Sequence, residues 1–206
     1  MRRFSIFSAL SLASALLLFP DLLEAQNWDF IKEKDGIKIY TRKEPNSEIK
    51  SFRGIMEIRT TMERVSQLVG NVHNTDWWDK DVKEIKILYF EENKHFIYCL
   101  VYDVPWPLSD RDLCVDATVT MDPVKGTREI YAKPLNNRVP EKEGLVRIKN
   151  YYQKWTVQTL DKGMMRLTLE GKVDPAGSVP AWLYNMVITD APLRVLGGVK
   201  EKVEIK

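Results

Sequence analysis

The sequence predicts an α+β fold: a curved antiparallel β-sheet whose apolar face is covered by a long helix at the C-terminus. Three observations carry that reading. The middle of the chain alternates with period two. Over residues 113–121, Leu113, Val115, Ala117, Val119 and Met121 share one face, and Cys114, Asp116, Thr118 and Thr120 the other. Helical spacing occurs only in a short stretch after Thr60 and a long one over 179–203. The strands run together and the helices stand apart, which separates α+β from an alternating α/β chain.

The elements follow in order. Met1-Arg2-Arg3 is basic, residues 4–19 carry no charge, and Ala25 precedes the polar start at Gln26. That pattern reads as a secretory signal peptide, residues 1–25, cleaved near Ala25. The uncharged run of about 16 residues falls short of the roughly 20 needed to span a bilayer, so an uncleaved anchor is the weaker alternative. Residues 26–206 are then expected to form one domain, periplasmic or secreted.

Within that domain, residues 28–42 hold a strand centred on the alternation from Gly36 to Arg42. A second strand, 51–58, follows the turn residues Glu44-Pro45-Asn46-Ser47. Thr60-Thr61-Met62-Glu63 opens a helix with Val65, Leu68 and Val69 on one face and Gly70 at its end. Residues 71–81, with Trp77 and Trp78, read as a short helix or turn. Strands are expected at 83–90, 95–104, 113–121, 128–135, 145–160 and 164–173. Their connections carry Asp122-Pro123, Asn136-Asn137 and Asp161-Lys162-Gly163. The terminal helix presents Leu183, Met186, Val187, Leu196 and Val199. Pro180 sits in its first turn, and Pro192 is expected to kink or interrupt it.

Composition narrows the function. Lys plus Arg is 31 against 29 acidic residues, a net charge of +2 that leaves no basic footprint for nucleic acid. Two Cys and two His make neither a disulfide framework nor a metal set, and no metal or cofactor is expected. With 6 Trp, 8 Tyr and 7 Phe the chain has the apolar surface that disordered chains lack.

Four stretches resemble the START (StAR-related lipid-transfer) domain family, from about Trp28 to the C-terminus. They are 76–82 (Asp76-Trp77-Trp78-Asp79-Lys80-Asp81-Val82), 105–112 (Pro105-Trp106-Pro107-Leu108-Ser109-Asp110-Arg111-Asp112), Val146-Arg147-Ile148 with Tyr151, Tyr152 and Trp155, and 173–183, which contains Asp174-Pro175-Ala176-Gly177 and Pro180-Ala181-Trp182. The resemblance implies a helix-grip fold with an internal hydrophobic cavity between sheet and terminal helix, holding one lipid or other hydrophobic small molecule. The lining it suggests is Tyr98, Leu100, Tyr102, Leu113, Val115 and Ala117, then Val119, Trp155, Leu167 and Leu169. Leu183 and Val187 face them from the helix. Trp106 and Leu108 form a gate. Tyr98 and Tyr102 offer polar contacts. Sterol-binding members carry an inward Arg on the strand after the Arg-Asp pair; here Ala117 stands at that place. The function implied is lipid binding and transfer by a monomer, with transient membrane contact and no enzymatic step.

Several features stay open on residue grounds. Cys99 and Cys114 flank the Trp106-Pro107 turn at equal distance and both point outward, so they form either a cross-strand disulfide or two free thiols. Arg111-Asp112 reads as a structural pair at a strand mouth. His73 and His95 read as exposed. An enzyme using the same cavity, cyclase- or hydrolase-like, needs an acid or base aimed into it, and Asp190 is the candidate.

Overall fold

The computed structural model describes residues 28–75, 81–105 and 107–205. The expected leader with its cleavage at Ala25, the pair Trp77-Trp78 and the gate residue Trp106 lie outside them.

The N-terminal part is a meander of three strands, β1 (Asp29–Lys34), β2 (Ile37–Glu44) and β3 (Ser47–Arg59). Asp35 and Gly36 both take positive φ, 54° and 77°, as a two-residue hairpin turn with matching twist requires. Sequence alternation merged β1 with β2. β1 is an edge strand exposed along nearly its whole length, so no buried face imposed a pattern on it. A short helix, α1 (Met62–Leu68), follows. The Thr61 side chain caps it, accepting from the Arg64 N–H at 3.2 Å, and Val65 and Leu68 are buried.

Four strands follow: β4 (Val82–Glu91), β5 (His95–Tyr102), β6 (Arg111–Asp122) and β7 (Thr127–Pro134). The expected single strand at 145–160 divides into β8 (Val146–Arg147) and β9 (Tyr151–Thr159). β10 (Met164–Val173) precedes the terminal helices. The sheet order is β1-β2-β3-β10-β9-β7-β6-β5-β4, antiparallel throughout, with β8 alone parallel to the start of β6, beyond the end of β7.

A buried ion pair explains the division. Arg147 donates from Nε and Nη2 to the two carboxylate oxygens of Asp112 at 2.9 and 2.6 Å, and from the same guanidinium to the carbonyls of Val139 and Pro140. β8 is thereby pinned to β6 and the chain must turn before β9. The pair expected at the strand mouth, Arg111 with Asp112, is corrected: Arg111 instead donates to the carbonyls of Ser109 and Pro175, joining the 103–110 loop to the lead-in of the terminal helix.

The terminal helix is two helices, α2 (Ala181–Val187) and α3 (Asp190–Val203). The break at Ile188-Thr189 comes before Pro192. That proline occupies the first turn of α3, where its missing N–H has no intrahelical partner to lose. Both helices pack on β3, and α3 also on β2 and α1. Leu196, Val199 and Val203 of α3 are buried in the core with Ile37, Met56 and Leu167. The approach of helix to sheet is close: a Cβ at Gly54 would stand 2.4 Å from Leu196 Cδ1. The helix grips the β2–β3 side of the sheet, which leaves the inner face of β5, β6, β7 and β9 to be closed by other means.

Candidate ligand cavity

That second half of the inner face holds a cavity of about 90 Å³. Its walls come from the inward residues of β5 to β7 and β9, from the segment after α1, and from one turn of α3. One end is polar without charge: Tyr98, Tyr102, Tyr151 and Gln153 line it, and the Tyr151 hydroxyl donates to Gln153 Oε1 at 3.2 Å. The rest is apolar, including Phe96, Ala117, Ile130 and Trp155. Burial, followed by the neighbouring phenols, pushes the Tyr98 and Tyr151 hydroxyls far above the ordinary tyrosine value. Burial does the same at Tyr184 on α2. These groups are therefore neutral hydrogen-bonding partners at any physiological pH.

The structure sorts the residues suggested for the site. Tyr98, Leu100, Tyr102, Ala117 and Trp155 line this cavity. Leu113, Val115, Leu167 and Leu169 are buried on the inner face but are absent from the cavity wall; they belong to filled core. Val119 is partly buried against that core, and Met121 beyond it is exposed, because β6 runs past the covered region. Leu183 and Val187 are a correction. They are 42% and 53% exposed on α2, which packs on β3, and neither lines the cavity. Leu108 is half-buried in the 103–110 loop.

The residues that reasoning from sequence missed are Val69, Gly70 and Val72 after α1, Val82, Val195, the inward strand residues Phe96, Ile130 and Ala132, and the β9 pair Tyr151 and Gln153. The last two carried a signal: Tyr151, Gln153 and Trp155 alternate with Tyr152 and Lys154. Tyr152 points to the outer face, where its hydroxyl meets Ser51 Oγ at 3.1 Å.

Among the described residues, charged groups flank the cavity without lining it. Arg194, beside the lining Val195, pairs with Asp81, beside the lining Val82, at 3.2 Å. Lys83 bridges Asp103 at 2.7 Å and Asp110 at 3.0 Å, and the Asp103 N–H donates to the Asp81 carbonyl. The start of β4, the 103–110 loop and α3 are thus tied together around one edge of the cavity. The volume lies far below the roughly 300–1,000 Å³ of pockets for larger ligands. A larger guest requires these elements to part.

The other sequence candidates resolve as follows. Cys99 and Cys114 stand opposite each other in the β5–β6 register and are joined as a disulfide, so the first of the two readings is the one adopted. His73 is exposed and meets the Phe90 ring edge-on. His95 Nε2 lies 2.9 Å from Asp116 on the outer face and is half-buried rather than exposed. Asp190 pairs with Lys32 at 2.6 Å on the surface, away from the cavity.

With the geometry described, similarity to known proteins places the chain. A family model for the START domain matches residues 15–197. A protein of Pseudomonas aeruginosa is 29% identical over 180 residues, covering 87% of this chain and 88% of the relative. The phosphatidylcholine transfer protein of Rattus norvegicus is 28% identical over 183 residues, covering 84% and 81%. Among solved structures, a STAR-related lipid transfer protein from Xanthomonas axonopodis superposes with a TM-score of 0.76 at 25% identity, covering 84% of this chain and 97% of that one. Human StAR-related lipid transfer protein 5 superposes at 0.74 and 19% identity, covering 85% and 86%, and shares the fold. The sheet gripping a C-terminal helix is the helix-grip fold of these structures, and the chain belongs to the START domain family.

Proposed function

We propose that the protein binds one lipid molecule in this cavity and carries it between membranes, with no chemical step on the ligand. The observation that supports this most is the convergence of Tyr98, Tyr102, Tyr151 and Gln153 at one end of an otherwise apolar space. Apolar walls with a few placed polar groups suit a hydrophobic ligand. Each CH₂ taken from water contributes about 0.8 kcal/mol. Phenols and an amide suit a head group that is neutral or zwitterionic. The faces of Trp155 and the tyrosines also suit a quaternary ammonium through cation–π attraction. Phosphatidylcholine, for which four of the relatives are named, is the first ligand to test.

Delivery requires contact with a bilayer. The outer side of α2 carries Trp182, Leu183, Met186 and Val187, with Trp182 67% and Met186 68% exposed. A helix side of this kind enters the interfacial zone of a membrane. Asn185 on α2 holds it to β3, accepting from Lys50 N–H at 3.0 Å and donating to the Glu48 carbonyl at 2.8 Å. The basic, apolar and Ala25 pattern supports export to the periplasm or beyond, where the disulfide persists. The carrier acts as a monomer.

The test is native mass spectrometry of the protein purified from the periplasm. The expected spectrum shows a 1:1 adduct with the mass of a phospholipid. A spectrum showing only the bare chain, from protein that also takes up no lipid from vesicles, overturns the proposal.

A further inference from the structure

One buried cation remains unused. Arg128, on the inward side of β7, is 1% exposed. Its Nη1 donates to the Val69 carbonyl at 3.1 Å and its Nη2 to Asn93 Oδ1 at 3.3 Å. Its Nε has no acceptor among the described residues, and neither do the described residues offer it a carboxylate. A charge held this way is costly, because burying an ion is offset only by good partners. Burial lowers its pKa only to about 10, so it stays cationic at neutral pH.

Its position relative to the cavity gives that cost a use. The guanidinium lies against Gly70, whose backbone lines the cavity. A Cβ at Gly70 would stand 3.0 Å from Arg128 Nη2 and 2.9 Å from Ile130 Cδ1. The φ of +96° at Gly70 also disfavours any side chain there. Gly70 thus borders both the cation and the cavity. The nearest aromatic wall is Phe96 and Tyr98, their rings stacked with centroids 6.0 Å apart. The β7–β9 register puts Arg128 opposite Val157 and Ala132 opposite Gln153, so the cation sits just beyond the lining Ile130, along β7 away from the phenol–amide group.

We infer that Arg128 is the anion-binding point of this cavity, engaging a phosphate or carboxylate oxygen of the lipid when the turn at Gly70 shifts. This rests on the lipid-binding reading. It adds a selectivity for ligands that bear an anionic oxygen over ligands of equal chain length that bear none.

The test measures uptake from vesicles by the full exported protein. The probes are fluorescent phosphatidylcholine, phosphatidic acid, a fatty acid and diacylglycerol, with inorganic phosphate as a competitor. Arg128→Met is expected to lose about tenfold or more for the anion-bearing probes and to change diacylglycerol uptake less than about twofold. Arg128→Lys is expected to recover part of the loss. Which probes lose most separates phosphate from carboxylate, and competition by inorganic phosphate points to a soluble anion instead of a lipid. Equal loss for all probes, or none, makes Arg128 a structural tie between α1 and the β4–β5 turn and overturns the inference. Because Arg128 also holds α1, a variant that does not fold is replaced by a measurement on the wild type. The ¹⁵Nε resonance of Arg128 should shift on adding fatty acid or phosphatidic acid micelles and stay in place with monoacylglycerol; no shift with either overturns the inference. Wild type that takes up no probe, diacylglycerol included, overturns the carrier reading itself.

Discussion

The two halves of the sheet's inner face are written in the same pattern and filled differently. On β2, β3 and β10, Ile37, Ile39, Met56, Leu167 and Leu169 are buried in one core with Leu196 and Val199 of α3, and Gly54 is needed to let the helix come that close. On β5, β7 and β9, the same alternation places Tyr98, Tyr102, Tyr151, Gln153 and Trp155 around a cavity. The gripped half spends its apolar surface on stability. The other half carries polar atoms on its inward side, which a well-packed core tends to exclude because each needs a partner. The difference teaches that an alternating strand announces a buried face but not whether that face is core or site; the polar residues among the inward positions tell the two apart.

Substitutions can break that comparison. The largest effect should come from the pair that anchors β8 to β6. Asp112→Asn leaves Arg147 buried without its carboxylate and should cost about 3–5 kcal/mol in urea unfolding. Leu196→Ala in the gripped half should cost about 2–5 kcal/mol, with lipid uptake per folded molecule unchanged. Ala117→Leu, on the cavity wall, reverses the pattern: a stability change below about 1.5 kcal/mol and a marked fall in uptake. An Ala117 variant that destabilises as much as an overpacked core would mean that both halves are filled.

Smaller effects sharpen the picture. On the outer side of the gripped half, Glu44 accepts from Ser51 Oγ and Arg42 at 2.6 Å each. Burial acts to raise its pKa, but these hydrogen bonds prevail and hold it below 4.5. A carboxylate lowered on folding stabilises fully above its unfolded value and loses that contribution as pH falls through the folded one. Wild type should therefore lose an advantage over Glu44→Gln only below about pH 4.5, seen as converging melting temperatures. The smallest effect is at the cavity edge. Arg194→Gln removes a surface pair worth about 0.2–1 kcal/mol, and should change stability little while speeding lipid exchange at low salt more than at high salt.

Much of this was legible in the residues. Period-two runs gave most of the strands, the Asp174-Pro175-Ala176-Gly177 lead-in located the terminal helices, and outward alternation brought Cys99 and Cys114 within reach of each other. What escaped has physical causes. β1 has no buried face to imprint alternation. Leu183 and Val187 are apolar at helical spacing, as core residues are, yet they face outward, and composition does not encode which side of a helix meets the sheet. Asp112 was matched to its chain neighbour Arg111, whereas adjacent residues on a strand point to opposite faces; its partner Arg147 came from a strand 35 positions away. The closing segment at Val69, Gly70 and Val72 belongs to a tight turn whose role depends on what it covers, which no local pattern states.

Whether the β5–β7–β9 half of the sheet holds a lipid is read most directly from vesicle-to-protein transfer of fluorescent phosphatidylcholine to wild type and to Ala117→Leu, beside their melting temperatures. Saturable 1:1 uptake by wild type is expected, with its loss in the variant at a nearly unchanged melting temperature. Equal uptake by both proteins, or none by a folded wild type, would contradict it.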